Sequence, residues 1–261
     1  MEKILKSLLS TIARILMSKY KVALVSYLNS KPFLYGLKNY SFSSELEFSV
    51  DTPSNIAKQL LNNEVDLALV PVAILNEMKE YFILPDYCIG CTGAVQSVCL
   101  FSEIPLQECN SVLLDYQSRT SVMLTKILLD KHWNLHPEFI STAEGYEQAI
   151  KGTTAGLVIG DRALQLKNKF QFVYDLGEEW KNFTSLPFAF AVWASAKKIP
   201  DEVAAELNAA FRLGFNSIEK VIDEEQINYP DIDVKKYLTT DIDFSYDAEK
   251  LKAMNLSLIH I

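Results

Sequence analysis

The chain has 261 residues, 49% of them hydrophobic and 22% charged, a composition able to bury one large core or two linked smaller ones. Its net charge of −8, with no block of Lys and Arg, argues against nucleic acid as a partner. An acidic chain has no general pull on anions, so an anionic ligand has to be held by local geometry.

Residues 1–16 carry an apolar stripe of Ile4, Leu8, Ile12, Ile15 and Leu16 with Lys3, Lys6 and Arg14 between them, the pattern of a short amphipathic helix. Arg14 interrupts the apolar stretch a secretory signal needs, and no segment reaches the ~18 apolar residues of a membrane span. Residues 1–19 are therefore expected to form an amphipathic extension, and the protein is expected to be cytoplasmic with no stable membrane insertion.

Lys21–Val25 reads as a strand, left by the loop Ser26-Tyr27-Leu28-Asn29-Ser30, after which Pro32 opens a helix. Leu46, Phe48 and Val50 alternate as a second strand. Thr52-Pro53-Ser54 has the form of a capped helix start, and Ile56, Leu60 and Leu61 supply that helix with a core face. Asp66–Val70 is a buried strand ending at Pro71, followed by a helix over Val72–Lys79. This strand–helix alternation predicts a parallel sheet covered by helices.

A run from Val95 to Phe101 reads as a longer strand, and a second series begins at Ser111–Leu114. It continues with a helix over Arg119–Asp130, strands near Phe139 and at Gly156–Ile159, and a helix from Asp161. Phe172–Tyr174 and Phe188–Ala194 are the last predicted strands. One long helix over Asp201–Asp223 follows, then shorter helical stretches near Val234 and Asp247. The pattern predicts an α/β fold of two lobes joined by two crossovers with a cleft between. Residues 20–97 plus 190–261 form one lobe in this reading, and residues 98–189 the other.

Cys88, Cys91, Cys99 and Cys109 lie close together, and Cys88 and Cys91 form a C-x-x-C. No second pair stands at zinc-ribbon spacing, so buried structural thiols are the expectation. His132 and His136 are four apart, but no acidic third ligand is nearby and Pro137 closes the helix, so no metal site is predicted. Gly-rich phosphate loops and nucleophile elbows are absent, and no cofactor is expected.

Open α/β sheets bind ligands outside the carboxyl ends of their strands, next to helix starts. The loops after Val25, Val50, Val70, Leu114 and Ile159 should then face one cleft. They carry small polar groups, among them Asn29 and Ser30, Thr52 and Ser54, Thr92 and Gly93, Ser97, Ser118-Arg119-Thr120-Ser121, and Gly160-Asp161. Hydroxyls and amides at helix starts suit carboxylates, with Arg119 and Lys31 as the obvious cations. Each is also an ordinary cap or turn residue, and only their concentration at one end of successive strands favours a site.

Several segments resemble the menaquinone-pathway chorismate dehydratases of the futalosine route. They are SYLNSKPFLYGL (26–37), DLALVPVAIL (66–75), IGCTGAVQSVCLFS (89–102), SRTSVMLTKILL (118–129), GLVIGDRAL (156–164) and DLGEEWKNFTSLPFAFAVWA (175–194), in family order. The chain departs from that family at Ser185, where a Gly is usual, and in the Gly90–Val95 stretch. The resemblance implies a type 2 periplasmic-binding-protein-like fold. It also implies conversion of chorismate to 3-[(1-carboxyvinyl)oxy]benzoate and water, with Asn29 and Ser97 at catalytic positions. Tyr27, Ser30, Thr52, Ser54, Pro71, Thr92, Gly93, Ser118, Arg119, Thr120, Ser121, Gly160 and Asp161 are the candidate substrate-binding residues.

Such an elimination needs no redox cofactor or metal. Neither Asn29 nor Ser97 is a base at neutral pH, and Asp161 is either a base or the cap of its helix. A third possibility is that the substrate's own enolpyruvyl carboxylate takes the ring proton. The rival reading is a non-catalytic cytoplasmic binding protein for a small carboxylate. Transport proteins and regulators of the same fold would show a signal peptide or a helix-turn-helix. Oligomeric state is not legible in the sequence.

Overall fold

A computed structural model describes residues 19–259, so the amphipathic reading of residues 1–19 lies almost wholly outside the described residues, as does His260-Ile261. Strands β1 (Lys19–Val25), β2 (Glu45–Asp51) and β3 (Leu67–Pro71) alternate with helices α1 (Lys31–Asn39) and α2 (Pro53–Leu61). Pro32 and Pro53 each sit in the first turn of their helix, where a missing N–H costs nothing. Thr52 occupies the cap position of α2, but its side chain makes no capping hydrogen bond, contrary to the expected capping hydroxyl. β1 pairs in parallel with β2 and with β3. Every residue of β3 is buried, as expected for an apolar run with both sheet faces covered.

Beyond β3 the structure departs from the sequence reading in several places. Val72–Glu77 is a 3₁₀ turn and not a helix reaching Lys79. The next strand, β4 (Phe82–Cys91), escapes sequence reading because Pro85 and Gly90 break its β pattern. The run predicted as a strand from Val95 begins only at β5 (Val98–Ser102). β6 (Ser111–Leu114), α3 (Thr120–Ile127), β7 (Glu138–Ser141), β8 (Thr154–Ile159), α4 (Asp161–Leu166) and β9 (Phe172–Asp175) follow much as expected. Helix α5 (Leu176–Thr184), unpredicted, leads into β10 (Phe188–Ser195).

The long helix expected over Asp201–Asp223 is two helices, α6 (Asp201–Asn216) and α7 (Ile218–Asn228). Ser217 leaves helical geometry at φ −104°, ψ 19°, and its N–H bonds back to Leu213 and Gly214 carbonyls. A helical turn at Val234–Lys236 runs into a wider one at Tyr237–Asp241, then β11 (Asp243–Tyr246) and α8 (Ala248–Ile259) close the described chain.

The strands form two sheets, one ordered β11-β4-β10-β3-β1-β2 and the other β7-β6-β8-β5-β9. The chain passes between them twice, from β4 to β5 and from β9 through α5 to β10. Two lobes joined by two crossovers result. In the first lobe Phe33 is fully buried and meets Trp193, Phe211 and Phe215 edge-on, with ring centroids 5.0–5.5 Å apart. α1 lies directly on α6 because two glycines allow it: a Cβ at Gly36 would sit 2.0 Å from the Ala210 carbonyl oxygen.

Register places the cleft. Ala191 pairs with Pro71 and Phe188 with Cys91, so the carboxyl ends of β3 and β4 meet the start of β10. In the second sheet Val98 pairs with Ile159, so the start of β5 lies beside the carboxyl end of β8. Both sets of ends belong to one cavity.

Candidate active site

The cleft holds about 540 Å³ of empty space, part of it open to solvent, and its walls are drawn from both sheets. Val25, Pro53, Pro71, Ile89, Val95, Val98, Ile159 and Phe190 make it largely apolar. Tyr27, Asn29, Ser97, Ser118, Thr120 and Ser121 bring polar side chains to the same surface, and Gly160 adds backbone. The loops predicted to share a cleft do share it, each contributing at least one lining residue.

Asn29 is held in a 3₁₀ turn, Leu28–Ser30, and is buried. Its side-chain nitrogen donates to the Tyr237 hydroxyl at 3.4 Å, and its side-chain oxygen accepts from the Ser30 hydroxyl at 3.3 Å. Ser97 stands at the end of the first crossover and is 1% exposed. Asp175 fixes that crossover. Its carboxylate accepts the N–H groups of Val95 at 3.0 Å and Gln96 at 2.6 Å, and caps α5 through those of Gly177 and Glu178. Burial raises the Asp175 carboxyl above its usual range, against the pull of these four N–H groups.

The start of α3 forms the opposite wall. Thr120 Oγ1 accepts from the Ala73 N–H at 3.1 Å, and Ser118 Oγ accepts from the Ser121 N–H at 3.0 Å. A hydroxyl that already accepts keeps its own proton to donate. The helix N-terminus adds partial positive charge on the same side. Gly160 closes this wall at φ +65°, and a side chain there would meet the Tyr27 ring at 2.9 Å.

The remaining candidates sit elsewhere. Arg119 is turned out to a surface ion pair with Glu77, and Lys31 is paired with Glu225 at 2.9 Å. Among the described residues no Lys, Arg or His lines the cavity, so the expected cations are engaged by acidic partners instead. Ser30 backs Asn29 without lining the cavity, Thr52 precedes the wall residue Pro53, and Ser54 donates to the Tyr116 carbonyl at 3.2 Å. Thr92 donates to Asp243 at 3.0 Å, and Gly93 has open space where a side chain would stand.

Asp161 is the first residue of α4, whose cap is Gly160, so it is not a capping residue. Its carboxylate accepts the Leu28 N–H at 3.0 Å and the Tyr229 hydroxyl at 2.7 Å, tying the loop after β1 and the end of α7 to the second lobe. Burial raises its carboxyl above the ordinary range, opposed by these two bonds. Tyr27 forms a further link, donating to Gln117.

Cys88 lies against the Ser245 carbonyl at 3.1 Å, while Cys91 packs on Gly177, so the C-x-x-C pair faces two different neighbourhoods. Burial pushes both thiols well up. Among the described residues no three His, Cys, Asp or Glu side chains are grouped to hold a metal ion, and His132 pairs with Glu179 at 3.0 Å. No helix among them is long and apolar enough to cross a membrane. Tyr237 and Asp175 are the functional neighbours that sequence reasoning did not single out.

Comparison with known proteins agrees with this geometry. The chain is 31% identical over 224 residues to the chorismate dehydratase of Thermus thermophilus, covering 75% of this chain and 82% of that one. Among solved structures, a protein of Archaeoglobus fulgidus superposes with a TM-score of 0.73 at 13% identity, covering 93% of this chain and 96% of the other. A Candida albicans gene product described as having the generic periplasmic binding protein fold superposes with a TM-score of 0.63 at 11% identity, covering 93% and 91%. The fold is thus periplasmic-binding-protein-like. The family model for menaquinone biosynthesis matches residues 20–258, nearly the whole described chain, and the protein belongs to that family.

Proposed function

We propose that this protein is a chorismate dehydratase, converting chorismate to 3-[(1-carboxyvinyl)oxy]benzoate and water in the futalosine route to menaquinone. The observation that carries this reading is the pairing of Asn29 and Ser97 on one apolar cavity, each brought there by a different connection and both uncharged. The name of the Thermus thermophilus relative supports the same assignment.

The reaction breaks the C–H bond at the ether-bearing ring carbon and the C–O bond of the neighbouring hydroxyl. The electron pair from the C–H bond spreads through the diene into the ring carboxylate, then expels hydroxide and leaves an aromatic ring. A site for this step holds two carboxylates, favours charge growing on one, and excludes water. Neutral donors suit it. Ser118, Thr120 and Ser121 at the start of α3 receive a carboxylate, while Asn29 and Ser97 face the reacting edge. The substrate's own enolpyruvyl carboxylate takes the ring proton, since no carboxylate side chain lines the cavity among the described residues.

We take residues 20–97 with 190–261 as one lobe and 98–189 as the other, closing on the substrate through Asp161 and Tyr27. Incubation with chorismate, watched by proton NMR, tests the assignment: new aromatic signals support it. Chorismate that binds and stays unchanged returns the protein to the class of small-carboxylate binders. An analogue esterified at the enolpyruvyl carboxylate tests the proton transfer, and normal turnover of that ester removes it.

A further inference from the structure

Tyr27 lines the cavity from the first lobe, and its ring packs on Gly160 of the second. Its hydroxyl reaches past that wall and donates to the Gln117 side-chain oxygen. Gln117 stands just before the family-like segment 118–129 and is not itself a wall of the cavity. Around it lies a group of charges that the reaction does not use.

Asp115 is the centre of that group. Its buried carboxylate accepts from the Arg162 guanidinium at 2.7 Å, the Tyr146 hydroxyl at 2.8 Å and the Gln117 N–H at 2.8 Å. The Ile159 N–H adds a bond at 3.2 Å, so the loops after β6 and β8 are tied to one carboxylate. Arg162 is also paired with Glu147 and flanked by the rings of Tyr116 and Tyr146, whose centroids lie 5.3 and 5.8 Å away. A cation engaged by two carboxylates is poorly placed to take another from a substrate. It does meet the Gln117 side-chain oxygen, at 3.4 Å.

That contact settles which way the Gln117 amide faces. A guanidinium only donates, so the amide turns its oxygen towards Arg162 and its nitrogen away. The nitrogen donates to the Tyr116 hydroxyl at 2.9 Å. An oxygen presented in this way is also ready for the phenol of Tyr27, which burial holds above the usual tyrosine range and so keeps protonated near neutrality. A phenol from one lobe and an amide oxygen from the other thus share a bond beside the cavity.

We propose that Gln117 is a positioning residue, receiving the Tyr27 hydroxyl across the cleft so that Tyr27 is held over the cavity as a gate. The bond governs how readily the cavity opens and leaves the reacting groups untouched. This rests on the reading of the cavity as the substrate site, and the test separates the two. Wild type, Tyr27→Phe, Gln117→Leu and the double variant are compared first without ligand, by hydrogen exchange over residues 26–31. Each single variant should speed exchange there about fivefold, the scale of one net hydrogen bond. The double variant should be no faster than either, because the same bond is missing in all three. On chorismate each single variant should raise KM about fivefold with kcat changed less than about twofold, a split that general loosening of the fold does not predict.

Effects that multiply in the double variant, or exchange unchanged in both single variants, overturn the proposal. A wild type that leaves chorismate unchanged defeats the dehydratase reading instead, and the ligand-free exchange cycle still decides the gate. Calorimetric affinity for 3-(carboxymethoxy)benzoate, a stable dianion with two similarly placed carboxylates, then replaces KM. It should fall about fivefold in either single variant and no further in the double, and an affinity equal to wild type in all three contradicts the gate.

Discussion

The carboxylate of Asp175 accepts the backbone N–H of Gln96 at 2.6 Å, joining the two connections between the lobes at one point. Asp175 caps α5 on the returning connection, and Gln96, at φ +64°, is the residue before Ser97 on the outgoing one. A non-glycine residue at positive φ is held there by its surroundings. The position of Ser97 in the cavity is therefore set by a side chain nearly eighty residues away.

Asp175→Asn retains the size of the side chain but loses the charged acceptor shared by four N–H groups. The expected cost is about 2–3 kcal/mol of folding stability, measured by urea unfolding, since bonds to a charged group are stronger than neutral ones. Turnover should fall as well, because the crossover carrying Ser97 loosens. An Asn variant with wild-type stability and rate shows that the cap is dispensable.

A second prediction concerns Arg119. Its ion pair with Glu77 is partly solvent-exposed, Arg119 does not line the cavity, and such surface pairs contribute about 0–1 kcal/mol. Arg119→Ala should leave KM for chorismate within about twofold. A rise of a hundredfold or more means that Arg119 swings inward to hold a substrate carboxylate, and that recognition by neutral donors alone is incorrect.

Asp161 links the two lobes, and the proposed closure on the substrate runs through it. Asp161→Ala removes the acceptor for the Leu28 N–H and the Tyr229 hydroxyl, lowering the population of the closed form. Apparent affinity falls with that population, so KM should rise about five- to tenfold with kcat changed less. X-ray scattering checks the same point: wild type should contract on binding 3-(carboxymethoxy)benzoate, and the variant should contract less. Superimposable wild-type profiles with and without that ligand argue against closure.

Lys250 is buried beneath β11 and bonds Asp243 at 2.5 Å. Burial works to raise the Asp243 carboxyl, but the bonds from Lys250 and Ser245 outweigh it, and the group is held below its ordinary value of 3.8. A carboxyl depressed in the folded state contributes stability above its unfolded value and loses it as pH falls through the folded one. The Tm of wild type should therefore drop below pH 3.8 more steeply than that of Asp243→Asn, which should already be less stable at neutral pH. Parallel acid limbs in the two proteins contradict this role.

Much of the fold is legible in the sequence because its signals are local. Pro32 and Pro53 mark helix starts, and apolar runs such as Leu67–Val70 mark buried parallel strands, so the cavity's end of the sheet follows from chain direction alone. β4 and β11 are missed because Pro85 and Gly90 hide the first and the second is short, and both are stabilised by antiparallel partners distant in sequence. The same distance explains Tyr237, which meets Asn29 across 208 residues and carries no local mark. Lys31 and Arg119 look like anion-binding cations until Glu225 and Glu77 are seen beside them.

In the proposed reaction Asn29 acts on chorismate within this cavity, and comparing chorismate turnover by wild type and by Asn29→Asp decides whether it does. The variant preserves size and turn preference but sets a negative charge facing a dianionic substrate. Wild type should release 3-[(1-carboxyvinyl)oxy]benzoate, and the folded variant should be slower by roughly 10²–10³, the scale of losing one positioned donor. A correctly folded Asn29→Asp protein that turns over chorismate at the wild-type rate would show that Asn29 is scaffolding and that the site has been misassigned.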